Sequence, residues 1–143
     1  QRLIDCNIVI FNCMDQLRLC SIYGGSEFLE IIKERYQNEH FIIAGTNAAA
    51  MAMSHIMIYG ENSHQTHLKG KVKMGTGFGL LPNMIIDTMI ETHGRFNRLT
   101  QAVATQPGIV GLGLGENTGA LITLAVLPVI CSIARPCAHA QTV

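Results

Sequence analysis

The chain has 143 residues, the size of one domain or a piece of one, and its ten basic and ten acidic residues cancel. A neutral chain offers no electrostatic reason to bind nucleic acid or an anionic membrane surface, so neither partner is expected. Apolar residues make up 48% of the chain and charged ones 14%, which predicts a surface poor in charge and partly covered by a partner.

Reading from the start, Cys6 to Asn12 is a short β-branched run and predicts a buried strand. It leads into Cys13-Met14-Asp15-Gln16, polar residues at a carboxyl strand end, the edge where open α/β sheets hold ligands. Leu17 to Ile22 predicts a helical turn closed by Gly24-Gly25. Ser26 then caps a helix to about Asn38, with Phe28, Leu29, Ile31, Ile32 and Tyr36 on its apolar face.

The next stretch, Phe41 to Ser54, organises the rest. An apolar run from Phe41 to Ala44 meets Gly45-Thr46 and then small residues of helical character, the strand, turn and helix of a nucleophile elbow. An elbow calls for Gly-x-Ser-x-Gly, whereas this chain reads Gly45-Thr46-Asn47-Ala48-Ala49. The scaffold of a hydrolase site is there without its attacking atom.

Residues 59 to 70 predict a loop or an edge hairpin, and Lys71 to Met74 alternates like a strand. Gly75 to Gly79 reads as a turn, Met84-Ile85-Ile86 as a short strand before Asp87, and Gly94 to Gln106 as a helix that Pro107-Gly108 stops. Ile109 to Leu114 and Ala120 to Val126 then predict two strands around the turn from Glu116 to Gly119. The apolar stretch from Ala120 to Ile133 is broken by Thr123 and Pro128, which predicts a buried strand pair instead of a membrane span. No run reaches the roughly 18 apolar residues of a spanning helix, and no basic-then-apolar leader opens the chain, so a cytoplasmic setting is expected. Strands alternating with helices predict a single, mostly parallel, three-layer α/β sandwich over residues 1–143.

Neither glycine cluster makes a dinucleotide fingerprint. The one from Gly111 fails at Glu116 and the one from Gly75 fails at Leu80, so turn glycines are the reading. His55, His64 and His67 lack the spacing and the paired carboxylate of a metal site, so no metal and no cofactor is expected. Cys6, Cys13, Cys20, Cys131 and Cys137 are odd in number and contain no Cys-x-x-Cys pair, which predicts reduced, buried thiols.

Several segments in one order carry a resemblance. They are Phe11 to Leu19, Ile43 to Ala50, Gly79 to Pro82, Ile86-Asp87, Gly94 to Leu99 and Gly111 to Gly119. Together they resemble the cyanophycinases, serine peptidases grouped with the aspartyl dipeptidases. The matching patterns are Thr-Gly-Gly-Asp-Gln, Gly-Thr-Ser-Ala-Gly-Ala and Asp-x-His-Phe-x-x-Arg-Gly-Arg-x-x-Arg-Leu. The likeness runs from about residue 8 to residue 123, and family members extend further at both ends. It implies a flavodoxin-like fold of the class I glutamine-amidotransferase type.

The resemblance also implies a split site. The nucleophile position falls on Asn47, the base position on Met89, and the acid position at or near Gln65, with Glu61 close by. An amide does not become an alkoxide and a thioether does not shuttle protons. Substrate contacts would fall on Asp15, Gln16, Asp87, Thr88, His93, Arg95 and Arg98. The family substrate is polyaspartate bearing arginine side groups, so Arg95 and Arg98 would meet its carboxylates and Asp87 a guanidinium. Without the resemblance, the two arginines would read as exposed helix charges paired with Glu91. The expected partners are therefore cyanophycin or a β-aspartyl peptide and a second copy in a homodimer. The chain reads as an impaired enzyme, as a non-catalytic binder or pseudo-subunit of a dimer, or as a degraded fragment without activity.

Overall fold

The computed structural model describes residues 3, 5–60, 72–124 and 128–134, the backbone alone beyond residue 123. Among these described residues the chain is α/β, with four two-stranded ladders. Strands β1 (Ile8–Cys13) and β2 (Ile42–Asn47) pair in parallel, as do β5 (Met84–Thr88) and β6 (Val110–Leu114). Strands β3 (Ile56–Ile58) and β4 (Met74–Thr76) pair antiparallel, and so do β7 (Gly119–Leu124) and β8 (Pro128–Ala134). Parallel pairing is thus half of the ladder inventory instead of most of it. The other prediction corrected in this region is the turn from Gly75 to Gly79. Gly75 and Thr76 belong to β4, because β3, a strand the sequence reading passed over, gives them backbone partners.

Between β1 and β2 the chain makes α1 (Gln16–Tyr23) and α2 (Glu27–Asn38). Asp15 starts the first, its Oδ1 accepting the backbone N–H groups of Leu17 at 2.9 Å and Arg18 at 3.1 Å. What read as one turn is therefore a full eight-residue helix, since its two leading donors are satisfied. Ser26 caps α2 through Leu29 N–H at 3.3 Å, and Leu29 and Ile32 face the core.

Phe11 of β1 is the hub of that core, with ring contacts to Tyr23, Phe28 and Phe78. The alternation of β1 sends Val9, Phe11 and Cys13 inward and Ile8 and Ile10 outward. Ile42 joins them on β2, directly opposite Ile8. These three are 52%, 67% and 53% exposed, so β1 is buried on one face only. The last ladder is corrected in the same way: β7 alternates, and Leu121 is 58% exposed.

Helix α3 (Ala48–Ala52) follows β2 without a linker, and all five of its residues are buried. Small side chains are required there. A Cβ on Gly45 would lie 2.6 Å from Met53 Cε and 3.0 Å from the Ala49 and Ala50 backbone, so strand and helix touch backbone to backbone. On the far side, α4 (Phe96–Ala104) crosses from β5 to β6 and lays Leu99 and Ala102 against Ile85. Among the described residues no helix is long and apolar enough to cross a membrane.

Candidate active site

The elbow brings its residues together through local sequence. Strand β2 runs two residues past Gly45, so Asn47 ends the strand and precedes Ala48, the first helical residue. Its backbone sits at φ 49°, ψ −118°, a conformation that costs a non-glycine residue about 1–3 kcal/mol. The surrounding packing holds it: α3 lies directly behind and β1 directly beside, with Cys13 opposite Asn47 in the register.

Asn47 makes no capping bond to α3. Its Oδ1 instead accepts Thr88 Oγ1–H at 3.1 Å, and its Nδ2 lies 3.9 Å from Met14 Sδ. Thr88 Oγ1 is also 3.5 Å from Met51 Sδ. These side chains in direct reach of Asn47 and Thr88, an amide, a hydroxyl and two thioethers, include no group that would take a proton near neutral pH. His40 and Glu116 stand elsewhere in the wall of the cavity that Asn47 and Thr88 line. Met89 follows Thr88 and is a second non-glycine residue at positive φ, 55°. Asn47, Thr88 and Met89 share a cavity of about 1040 Å³, whose other wall includes Leu112, Glu116 and Asn117. Gln65 and Glu61, the expected acid position, lie outside the described residues.

Of the expected substrate contacts, several are engaged within the protein. Asp87 is 0% exposed and Arg98 5%. Arg98 Nε and Nη2 donate to Asp87 Oδ2 and Oδ1, both at 2.6 Å, and its Nη1 donates to Gly60 O at 2.9 Å. Asp87 Oδ1 also accepts Thr88 N–H at 2.9 Å. Arg98 is therefore no exposed helix charge paired with Glu91; its partner is Asp87. The signal was legible, because Arg98 falls on the same face of α4 as Leu99 and Ala102, and a cation on a buried stripe needs a buried anion.

The remaining contacts differ in setting. Arg95 Nη1 donates to Thr88 O at 3.1 Å. His93 is exposed, and its backbone N–H donates to Met89 O at 3.1 Å. Asp15 serves as the cap of α1, and Gln16 Nε2 donates to Ile58 O at 3.0 Å. Met14, which the resemblance sets with Cys13 in place of a family Gly-Gly, lies against Asn47, while the reading of residue types missed Met51 beside Thr88. Nothing in the spacing of Met51 marks it, since a methionine in a small-residue run reads equally well as core. Among the described residues no cluster of His, Cys, Asp and Glu could hold a metal ion.

Cys6, Cys13 and Cys20 are free and half-buried, which corrects the expectation of full burial; the side chains of Cys131 and Cys137 lie outside the described residues. Burial pushes the Cys13 thiol up, the Asp15 carboxylate adds to the rise, and a backbone hydrogen bond from Asp15 offsets part of it. It is thus no activated thiolate. Cys20 is pushed up to about 11, by burial first and by Cys13 second. A raised value means that folding favours the neutral thiol. Its contribution is complete below the ordinary value of 9.0 and is lost as pH climbs through about 11. The urea midpoint of the chain should therefore fall more steeply from pH 9 to 11 than that of Cys20→Ser. Parallel curves would show that the burial of this thiol has no part in alkaline stability.

Comparison with known proteins adds a second line of evidence. The model of peptidase family S51 matches residues 2–124. A cyanophycinase of Trichormus variabilis is 39% identical over 116 residues, 81% of this chain and 39% of that protein. One of Geminocystis herdmanii is 32% identical over 116 residues, 81% of this chain and 43% of that protein. One of Synechococcus elongatus is 29% identical over 130 residues, 88% of this chain and 40% of that protein. The chain thus spans about two fifths of the length of these relatives.

Proposed function

Because the chain belongs to peptidase family S51, we propose that it is a cyanophycinase-like domain that binds cyanophycin or β-aspartyl peptides and no longer cuts them by serine chemistry. The parent reaction is hydrolysis of arginine-substituted polyaspartate to β-aspartyl-arginine dipeptides. The observation that carries the reading is Asn47: an amide stands at the strained strand-to-helix turn, and its oxygen is bonded by Thr88. The residue at the base position, Met89, lines the same cavity and carries no proton acceptor of useful strength. The two parallel ladders and the helices joining them support the three-layer, flavodoxin-like sandwich of the family.

In this reading Thr88, His93 and Arg95, close to the cavity and the β5 tip, contact the peptide, with Asp15 and Gln16 at the neighbouring strand end. Asp87 and Arg98 satisfy each other. The test is incubation of the purified chain with cyanophycin, scoring binding and released dipeptide separately. Binding without release is expected, and release at an ordinary enzymatic rate would overturn the proposal.

A further inference from the structure

We propose that Arg98 is a positioning residue for the elbow site. It acts through Asp87 and Thr88 and does not itself touch the peptide; the inference rests on the peptide-site reading above.

The connections form one unbroken chain. The guanidinium of Arg98 spans both oxygens of Asp87 with two 2.6 Å bonds, a planar fork on a planar carboxylate. Asp87 Oδ1 in turn receives Thr88 N–H at 2.9 Å, which fixes the peptide plane between the last two residues of β5. Thr88 then presents its hydroxyl to Asn47 Oδ1 at 3.1 Å. Met89 follows across the next peptide, Thr88–Met89, at φ 55°, a conformation that persists only where its neighbours over-determine it. Arg95 contributes from the other side, donating to Thr88 O.

The third arm of Arg98 reaches a different part of the chain. Its Nη1 holds Gly60 O at 2.9 Å, and Gly60 precedes the segment that carries Glu61 and Gln65. A single side chain on α4 therefore ties Gly60, the Asp87–Thr88 peptide and, through Thr88, Asn47 to one point. Lysine cannot replace it, because one ammonium cannot span both oxygens of Asp87 and Gly60 O at once. Burial of 95% keeps the guanidinium away from anything in solution.

The test is NMR of the unmodified chain and of Arg98→Lys, with methionine methyl groups labelled. In Arg98→Lys, exchange of the Thr88 amide should accelerate at least tenfold relative to Ile85 on the same strand. The Met89 and Met51 methyl signals should move while that of Met57 stays. Equal acceleration of Thr88 and Ile85, or unmoved Met89 and Met51 signals, would reduce Arg98 to a general stabiliser and overturn the proposal. Should Arg98→Lys not fold, the unmodified chain still decides. Its Thr88 amide and Arg98 Nε–H must exchange as slowly as the β5 core, and exchange at the rate of exposed loop amides would overturn the proposal. None of these signals needs bound peptide, so their failure is distinct from a failure to bind cyanophycin.

Discussion

Incubated with cyanophycin, the unmodified chain should release β-aspartyl-arginine about a millionfold more slowly than a working enzyme of the family, the loss seen when members of a catalytic triad are removed. The reason is chemical. In the proposed reading, Asn47 carries an amide where the reaction needs an alkoxide, and Met89 a thioether where it needs a base. Restoring one member leaves the other missing, so Asn47→Ser alone should recover little, and so should Met89→His alone. The double variant should recover more than the product of the two single gains, because the members act as a unit.

The backbone permits the experiment. Met89 already sits at φ 55°, where histidine is tolerated better than methionine. Serine at Asn47 would keep the strained turn while giving up the bond from Thr88 to its carbonyl oxygen. If the unmodified chain proves active, another group attacks. Thr46 is adjacent, but its hydroxyl donates to Asn12 Oδ1 at 2.7 Å and lies on the exposed side of β2. Cys13 stands opposite Asn47, with a thiol pushed up by burial. Loss of activity in Cys13→Ala would replace the serine-type account with a cysteine-type one.

The second large effect is on stability. Arg98→Met or Asp87→Leu should each cost about 3–5 kcal/mol, because each leaves the other charge buried without its partner. Against a typical total of about 5–15 kcal/mol, either change brings the chain near unfolding at room temperature. The double change Asp87→Leu with Arg98→Met should cost clearly less than the sum of the two, since no charge is then stranded. It should not return to zero, because Gly60 O and Thr88 N–H lose their partners at about 1–3 kcal/mol each. Urea unfolding of the four proteins measures the cycle. Single variants within about 1 kcal/mol of the unmodified chain would show that the pair behaves like an exposed one.

The sequence alone determined the local elements wherever one physical signal dominated. The apolar run ending at Gly45-Thr46 and the alanines after it specified the elbow, because a strand and a helix can meet so closely only across small residues. Asp15 and Ser26 marked helix starts, since a side-chain oxygen there satisfies free backbone donors. The proposed assignment of the nucleophile and base positions to Asn47 and Met89 rests on the order of the motifs.

Tertiary structure decided the rest, and the reason is the same in each case: a side chain's role depends on what reaches it from elsewhere. Strand β3 was invisible because three residues, Ile56 to Ile58, carry too short a period to read, and only pairing with β4 makes them a strand. Burial of β1 on both faces was expected from its β-branched run, but composition cannot say whether a second layer is present. Asp87 and Arg98 read as two contacts for a ligand, eleven residues apart. Folding brings them to 2.6 Å and buries both, so each satisfies the other's charge and Asp87 also accepts Thr88 N–H.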